Sequence, residues 1–110
     1  MNVTDKRKLK LIKNPIENLN KIFDSRIRLG IMSALIVNAS VSYNELKEYI
    51  KITDGNLATH LKSLEESGYI KVRKGFIGRK TNTTYSVTKA GEKAFKSHLN
   101  ALEKMMKSVN

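Results

Sequence analysis

With 110 residues, of which 40% are apolar, the chain has room for one domain around one compact core. It has no cysteine, which excludes disulfides, thiolate metal sites and thiol chemistry, and its net charge of +11 points to an anionic partner. The longest apolar run, Ile27–Val37, is broken by Arg28, Gly30 and Ser33 and is too short to cross a bilayer. No membrane segment or secretory signal is read, and a cytoplasmic protein is expected.

Residues 1–13 carry Lys6, Arg7, Lys8, Lys10 and Lys13 against Asp5, with no turn chemistry, and read as a flexible basic arm. Asn14-Pro15-Ile16-Glu17 reads as a helix start, with Asn as cap and Pro at the first helical position. Ile16, Leu19, Ile22 and Phe23 then predict a short amphipathic helix. After Asp24-Ser25 a second helix is expected to about Val37. Ile27, Ile31 and Leu35 are in register, with Leu29, Met32, Ala34 and Ile36 around them. Apolar nearly all round, it is expected to be the central buried helix, with Gly30 allowing close packing.

Beyond the loop Asn38-Ala39-Ser40, Val41 is expected to bridge to a later hairpin. Ser42-Tyr43-Asn44-Glu45 is a capping box. It opens a short helix to about Ile50, with Leu46, Tyr49 and Ile50 facing inward. Lys51-Ile52-Thr53 is then a turn. The next helix, 54–67, has Asp54 as expected N-cap and Gly68 as its left-handed stop. At about 100° per residue, Leu57, Leu61 and Leu64 form one stripe, while Asn56, Thr59, His60 and Ser63 lie on another face. Short hydrogen-bonding side chains of this kind suit base edges. For His60 the alternative is an ordinary exposed helix residue.

Tyr69-Ile70-Lys71-Val72-Arg73 alternates as a half-buried strand does, Gly75 and Gly78 bracket a tip, and Thr83–Val87 returns. The hairpin spans 69–87. From 69 to 91 the charged residues are Lys71, Arg73, Lys74, Arg79, Lys80 and Lys89, with no acid among them. A general charge bias does not explain an acid-free hairpin, and phosphate contact does.

Thr88 caps a last helix over 89–108. Phe95, Leu99, Leu102, Met106 and Val109, at spacings of four, three, four and three, form an a/d seam. Either the seam packs on the helix at 14–23 of the same chain, or it forms a homodimer interface; its length favours the dimer. His98 lies beside the seam and reads as a surface or interface residue.

Three segments together carry a family resemblance. The first is Ser25-Arg26-Ile27-Arg28-Leu29-Gly30-Ile31-Met32, and the second is Asp54-Gly55-Asn56-Leu57-Ala58-Thr59-His60-Leu61 followed by Leu64-Glu65-x-x-Gly68-Tyr69-Ile70. The third is Gly78-Arg79-Lys80-x-x-Thr83-x-Tyr85-x-x-Thr88-x-x-Gly91. The chain resembles the small winged-helix transcriptional regulators, similar to the MarR and ArsR groups and nearest their compact single-domain relatives. The resemblance implies a dimeric, repressor-like protein with helix 54–67 in the major groove and the 74–82 wing along the backbone. Gly55, Asn56, Thr59, His60 and Lys62 match DNA-facing positions, and Arg79 and Lys80 match the wing. There are two departures. No proline stands near Thr81-Asn82, which implies a more mobile tip, and no cysteines stand in the 42–50 helix, so thiolate metal sensing does not carry over.

The expected fold is therefore mainly α with a small β-hairpin. It is a winged helix-turn-helix domain over 14–110, with an additional N-terminal helix and a long C-terminal dimerisation helix. Expected base readers are Gly55, Asn56, Thr59, His60 and Ser63. Expected phosphate contacts are Lys62, Arg73, Lys74, Arg79 and Lys80. No glycine-rich phosphate loop, zinc-ligand spacing or nucleophile–base pattern is present, so neither catalysis nor a cofactor or metal is expected. The expected function is sequence-specific binding of double-stranded DNA by a homodimeric transcriptional regulator. The alternative is an architectural protein that binds DNA by backbone and shape. A small-molecule effector between dimer helices stays open.

Overall fold

The computed structural model describes residues 15–109. The basic arm and the Asn14 cap lie outside the described residues, as does the side chain of Val109. The expected N-terminal helix is instead two short 3-10 turns, Pro15–Asn18 and Lys21–Phe23. Asn20 separates them. Its side-chain oxygen accepts the Ile22 N–H at 3.0 Å, which offers the backbone an alternative to a continuous helix.

Helix α1, Arg26–Ile36, starts at Ser25, whose Oγ accepts the Arg28 N–H at 3.2 Å. It buries Ile31, Met32, Ala34 and Leu35, and is the central helix that its all-round apolar sequence predicts. A Cβ added at Gly30 would make ordinary contact with Ile50 at 3.8 Å, so α1 and α2 meet without requiring the glycine. Strand β1 is Val41–Ser42 and helix α2 is Tyr43–Ile50. The capping box forms, with Glu45 N–H on Ser42 Oγ and Ser42 N–H on Glu45 Oε1. Leu46 is fully buried and Ile50 half-buried, but Tyr49 is exposed, contrary to expectation. It lies about 60° round from Leu46, on the side away from Ile50, and falls outside the narrow inward face of so short a helix.

Lys51 ends α2 in the left-handed conformation at φ 60°, a sharp reversal with no glycine to signal it. Helix α3, Asp54–Glu66, follows. Its N-cap is Thr53, which makes no side-chain cap bond, and Asp54 is the first helical residue. The Asp54 carboxylate turns across to α2 instead, accepting from Lys47 Nζ at 3.0 Å and Tyr43 Oη at 3.2 Å. Leu57, Leu61 and Leu64 are buried, as their stripe predicts. Gly68, at φ 79°, completes a Schellman stop: its N–H bonds Glu65 O, and Tyr69 N–H bonds Leu64 O.

Strands β2, Ile70–Ile77, and β3, Lys80–Val87, make the hairpin. With β1 they form an antiparallel sheet in the order β1-β3-β2, in which Val41 and Val72 both stand opposite Tyr85. The strands run further than predicted. Gly75 does not bracket the tip but lies in the ladder opposite Asn82. The reversal is the two-residue turn Gly78-Arg79, with Gly78 at φ 63° as a primed turn requires.

Helix α4, Lys89–Val109, is capped by Thr88, whose Oγ accepts the Gly91 N–H at 2.9 Å. The face it turns to its own chain is centred on His98, not on Leu99. Phe95, His98 and Ala101 are buried, while Leu99 and Met106 stay 44% and 69% exposed. Phe23 is the anchor. Its ring meets Phe95 edge-on at 5.4 Å, stacks on Tyr69 at 5.5 Å and lies 5.2 Å from His98. His98 is thus a core residue, with Nδ1 accepting the Asn20 N–H at 3.0 Å. A polar residue within an apolar stripe reads as an edge position until its buried partner is seen. Phe95 packs in the chain's own core, and Leu102 is half-buried.

Candidate nucleic-acid interface

The leucine stripe of α3 packs on α1, and this fixes what the rest of α3 presents. Gly55, Asn56, Thr59 and Lys62 are exposed, and His60 and Ser63 are half-buried beside them. The face is hydrogen-bond-ready. Thr59 Oγ donates to Gly55 O at 2.9 Å and Ser63 Oγ to Thr59 O at 3.2 Å. With their protons turned back on the helix, both hydroxyls offer lone pairs outward. Among the described residues nothing bonds the Asn56 amide. A Cβ added at Gly55 would meet nothing within 4 Å, so the fold itself does not require glycine there.

The setting of α3 on α2 is held by the Lys47–Asp54 ion pair and the Tyr43 hydroxyl. The Lys47 ammonium, and after it the Tyr43 hydroxyl, hold the Asp54 carboxyl below the usual carboxylate range. Lys47 is therefore committed within the helix-turn-helix, and its charge is neutralised there.

The hairpin leaves the Schellman turn directly after α3. Its cations divide between the two faces of the ribbon: Lys71 and Arg73 project on one, Lys74 on the other, by strand alternation. All three are exposed, as are Arg79 at the turn and Lys80 beside it. Two residues that sequence reasoning missed accompany them. Phe76 and Ile77 are 73% and 68% exposed, because the ribbon carries the alternating pattern beyond the body that would cover it.

Sequence reasoning also missed Arg28. Its guanidinium Nε–H donates to the Ile22 carbonyl, and Nη1–H meets His60 Nδ1 at 2.9 Å. His60 is thus not a plain surface residue. Burial, and secondarily the Arg28 charge, push its pKa below the ordinary histidine value. The pair stand 32 positions apart, which leaves no local signal in the sequence.

Among the described residues no helix is long and apolar enough to cross a membrane, and no cluster of His, Cys, Asp or Glu is grouped to hold a metal ion. The chain is 36% identical over 89 residues to an uncharacterized protein of Methanocaldococcus jannaschii, a match covering 81% of this chain and 97% of that one. Its structure is similar to that of a transcriptional regulator homologue from Pyrococcus horikoshii OT3. That likeness has a TM-score of 0.72 and 28% identity, and covers 86% of this chain and 98% of that one. It is also similar to a protein of Porphyromonas gingivalis W83 assigned to the MarR family of transcriptional regulators. There the TM-score is 0.64 and the identity 28%, over 92% of this chain and 94% of that one. These likenesses, with the buried leucine stripe and the ribbon, mark a small winged-helix DNA-binding regulator rather than an enzyme. Residues 27–106 match the winged helix DNA-binding domain family, and the chain belongs to that family.

Proposed function

We propose that the protein is a homodimeric transcriptional regulator that recognises specific duplex DNA sequences. Helix α3 enters the major groove and the β2–β3 wing follows the phosphate backbone. The observation that carries this reading is the juxtaposition of an outward hydrogen-bonding face on α3 with a hairpin free of acidic residues. Asn56 reads a base edge bidentately, Thr59 and Ser63 accept from base amines, and Gly55 lets the backbone approach the DNA closely. Lys62, Arg73, Lys74, Arg79 and Lys80 contact phosphates. The exposed Leu99 and Met106 of α4, with Leu102 beside them, supply the surface for a second copy.

Two experiments test the assignment of roles. Asn56→Ala or Thr59→Ala is expected to cut discrimination between preferred and random duplexes by about 1–3 kcal/mol for each base pairing removed, with little change on random DNA. Equal losses on both duplexes would reduce α3 to a phosphate clamp and favour architectural binding. Arg79→Ala with Lys80→Ala is expected to weaken binding to all duplexes alike. It is also expected to flatten the salt dependence by about 0.9 log unit for each phosphate no longer neutralised. A double variant with unchanged affinity and slope removes the wing from the interface.

A further inference from the structure

We propose that Arg28 is a positioning residue that holds His60 as a neutral ring with its proton on Nε2, making His60 a pure hydrogen-bond donor toward a base edge. This rests on the reading of α3 as the helix that enters the groove. Arg28 lies on α1, away from the outward face of α3, and acts through His60.

The chemistry follows from the donor inventory. A guanidinium has only N–H groups to offer. At 2.9 Å from Arg28 Nη1, His60 Nδ1 must therefore present its lone pair, and the one ring proton of the neutral form sits on Nε2. A second proton, on Nδ1, would oppose both an N–H and a positive charge. The guanidinium is itself held from the other side. Its Nε–H donates to the Ile22 carbonyl. Ile22 belongs to the turn that Asn20 organises, with Ile22 N–H on Asn20 Oδ1 and Asn20 N–H on the buried His98, each at 3.0 Å. Asn20 Nδ2 adds a bond to the Tyr69 hydroxyl at 2.9 Å. Arg28 thus spans from a carbonyl fixed by the core to the recognition helix.

Among the described residues, the charge that acts on the His60 ring is that of Arg28, and no carboxylate does so. Its neighbours one turn away on α3 are Asn56, Leu57, Ser63 and Leu64, and Arg28 links it to the Lys21–Phe23 turn. Two consequences follow. A donor-only Nε2–H matches purine N7, guanine O6 or thymine O4, and does not match the cytosine amine. DNA phosphates normally favour protonation of a nearby histidine, and Arg28 opposes it, so binding takes up no proton at His60. In the free protein the folded ring binds its proton less tightly than the unfolded chain does. The associated stability is complete above the ordinary histidine range and fades as pH falls through His60's own, lower range.

The test uses the full chain and two readouts. Imidazole nitrogen NMR of the DNA-free protein is expected to show His60 with its proton on Nε2, titrating below ordinary histidine; in Arg28→Met the titration moves up toward it. Affinity for a selected duplex is then measured at pH 7.5 and pH 6. Arg28→Met is expected to gain affinity at the lower pH relative to wild type, by up to about tenfold for each unit that DNA raises the His60 pKa. His60→Gln in the same background is expected to abolish that gain. An unshifted His60 titration in Arg28→Met overturns the proposal, as does wild-type binding that takes up a proton at His60. The wild-type spectrum decides even if Arg28→Met does not fold, because a proton on Nδ1, or titration at or above the ordinary range, refutes the pairing. If no duplex is bound at any pH, the DNA reading fails, while the NMR titration still judges the Arg28–His60 pair separately.

Discussion

Leu99→Glu combined with Met106→Glu is expected to yield a folded monomer that has lost high-affinity DNA binding. Both side chains lie largely in solvent within one chain, at 44% and 69% exposure, so glutamate there costs the monomer's core little. In a two-fold dimer built on this face, the same patch of one copy meets that of the other. Each buried apolar side chain then forfeits about 1.5–3 kcal/mol, and like charges are brought together. The consequence for DNA is larger than that for association. A dimer engages its second half-site at the high effective concentration set by the first, worth about 10²–10⁴ in avidity. Sedimentation of wild type and variant, followed by titration with a selected duplex, checks both steps. Phe95 and Leu102 are poorer choices, because the chain's own core uses Phe95 fully and Leu102 in part. A monomeric wild type, or a variant that stays dimeric with unchanged affinity, would remove α4 from the interface.

Gly91→Ala is expected to be the most damaging small substitution in the chain. A Cβ there would sit 2.0 Å from the Tyr69 carbonyl oxygen and 2.8 Å from its carbon, and both are backbone atoms. Neither side can yield cheaply. The same carbonyl accepts the Thr88 N–H at 3.0 Å, and Thr88 Oγ ties Gly91 N–H at 2.9 Å and donates to Gly68 O at 2.7 Å. Relieving the clash breaks the joint that sets α4 on the corner between α3 and β2. The expected loss is about 3 kcal/mol or more, combining overpacking with a broken hydrogen bond. Denaturant unfolding measures it. Gly55→Ala is the contrasting control: nothing lies within 4 Å of its added Cβ, so stability should hold or rise by up to about 1 kcal/mol. Any loss of DNA affinity in Gly55→Ala then reports close backbone approach by the ligand. A Gly91→Ala chain as stable as wild type would contradict the packing described at this joint.

Features written in local chemistry were legible in the sequence. The leucine stripe of α3, the capping box at Ser42, the Gly68 stop and the Thr88 cap each involve residues within a few positions of one another. Features set by distant partners were not. The apolar spacing at 16–23 fits a helix, but Asn20 spends its side chain on Ile22 N–H and its own N–H on His98, and two 3-10 turns result. His98, which takes that bond, is buried, and the inward face of α4 is centred on it rather than on the a/d seam that the apolar residues trace. Asp54 looked like a cap because of its place before the leucine pattern; Lys47 and Tyr43, one helix away, claim it. On the candidate interface, the exposed positions followed from helix angle alone. The setting of His60 did not, since the ring is half-buried and meets Arg28 across the domain.

Selection of DNA by sequence is what the α3 face and the wing are proposed to achieve together. Its most direct test is enrichment of duplexes from a random pool by the full chain, followed by affinity measurement on the enriched and unselected DNA at one fixed salt concentration. The expected result is a two-fold-symmetric site with half-sites about one helical turn apart, bound at least about 10³-fold more tightly than random duplex. A pool that enriches no motif, with affinity uniform across sequences and governed by salt alone, would contradict it.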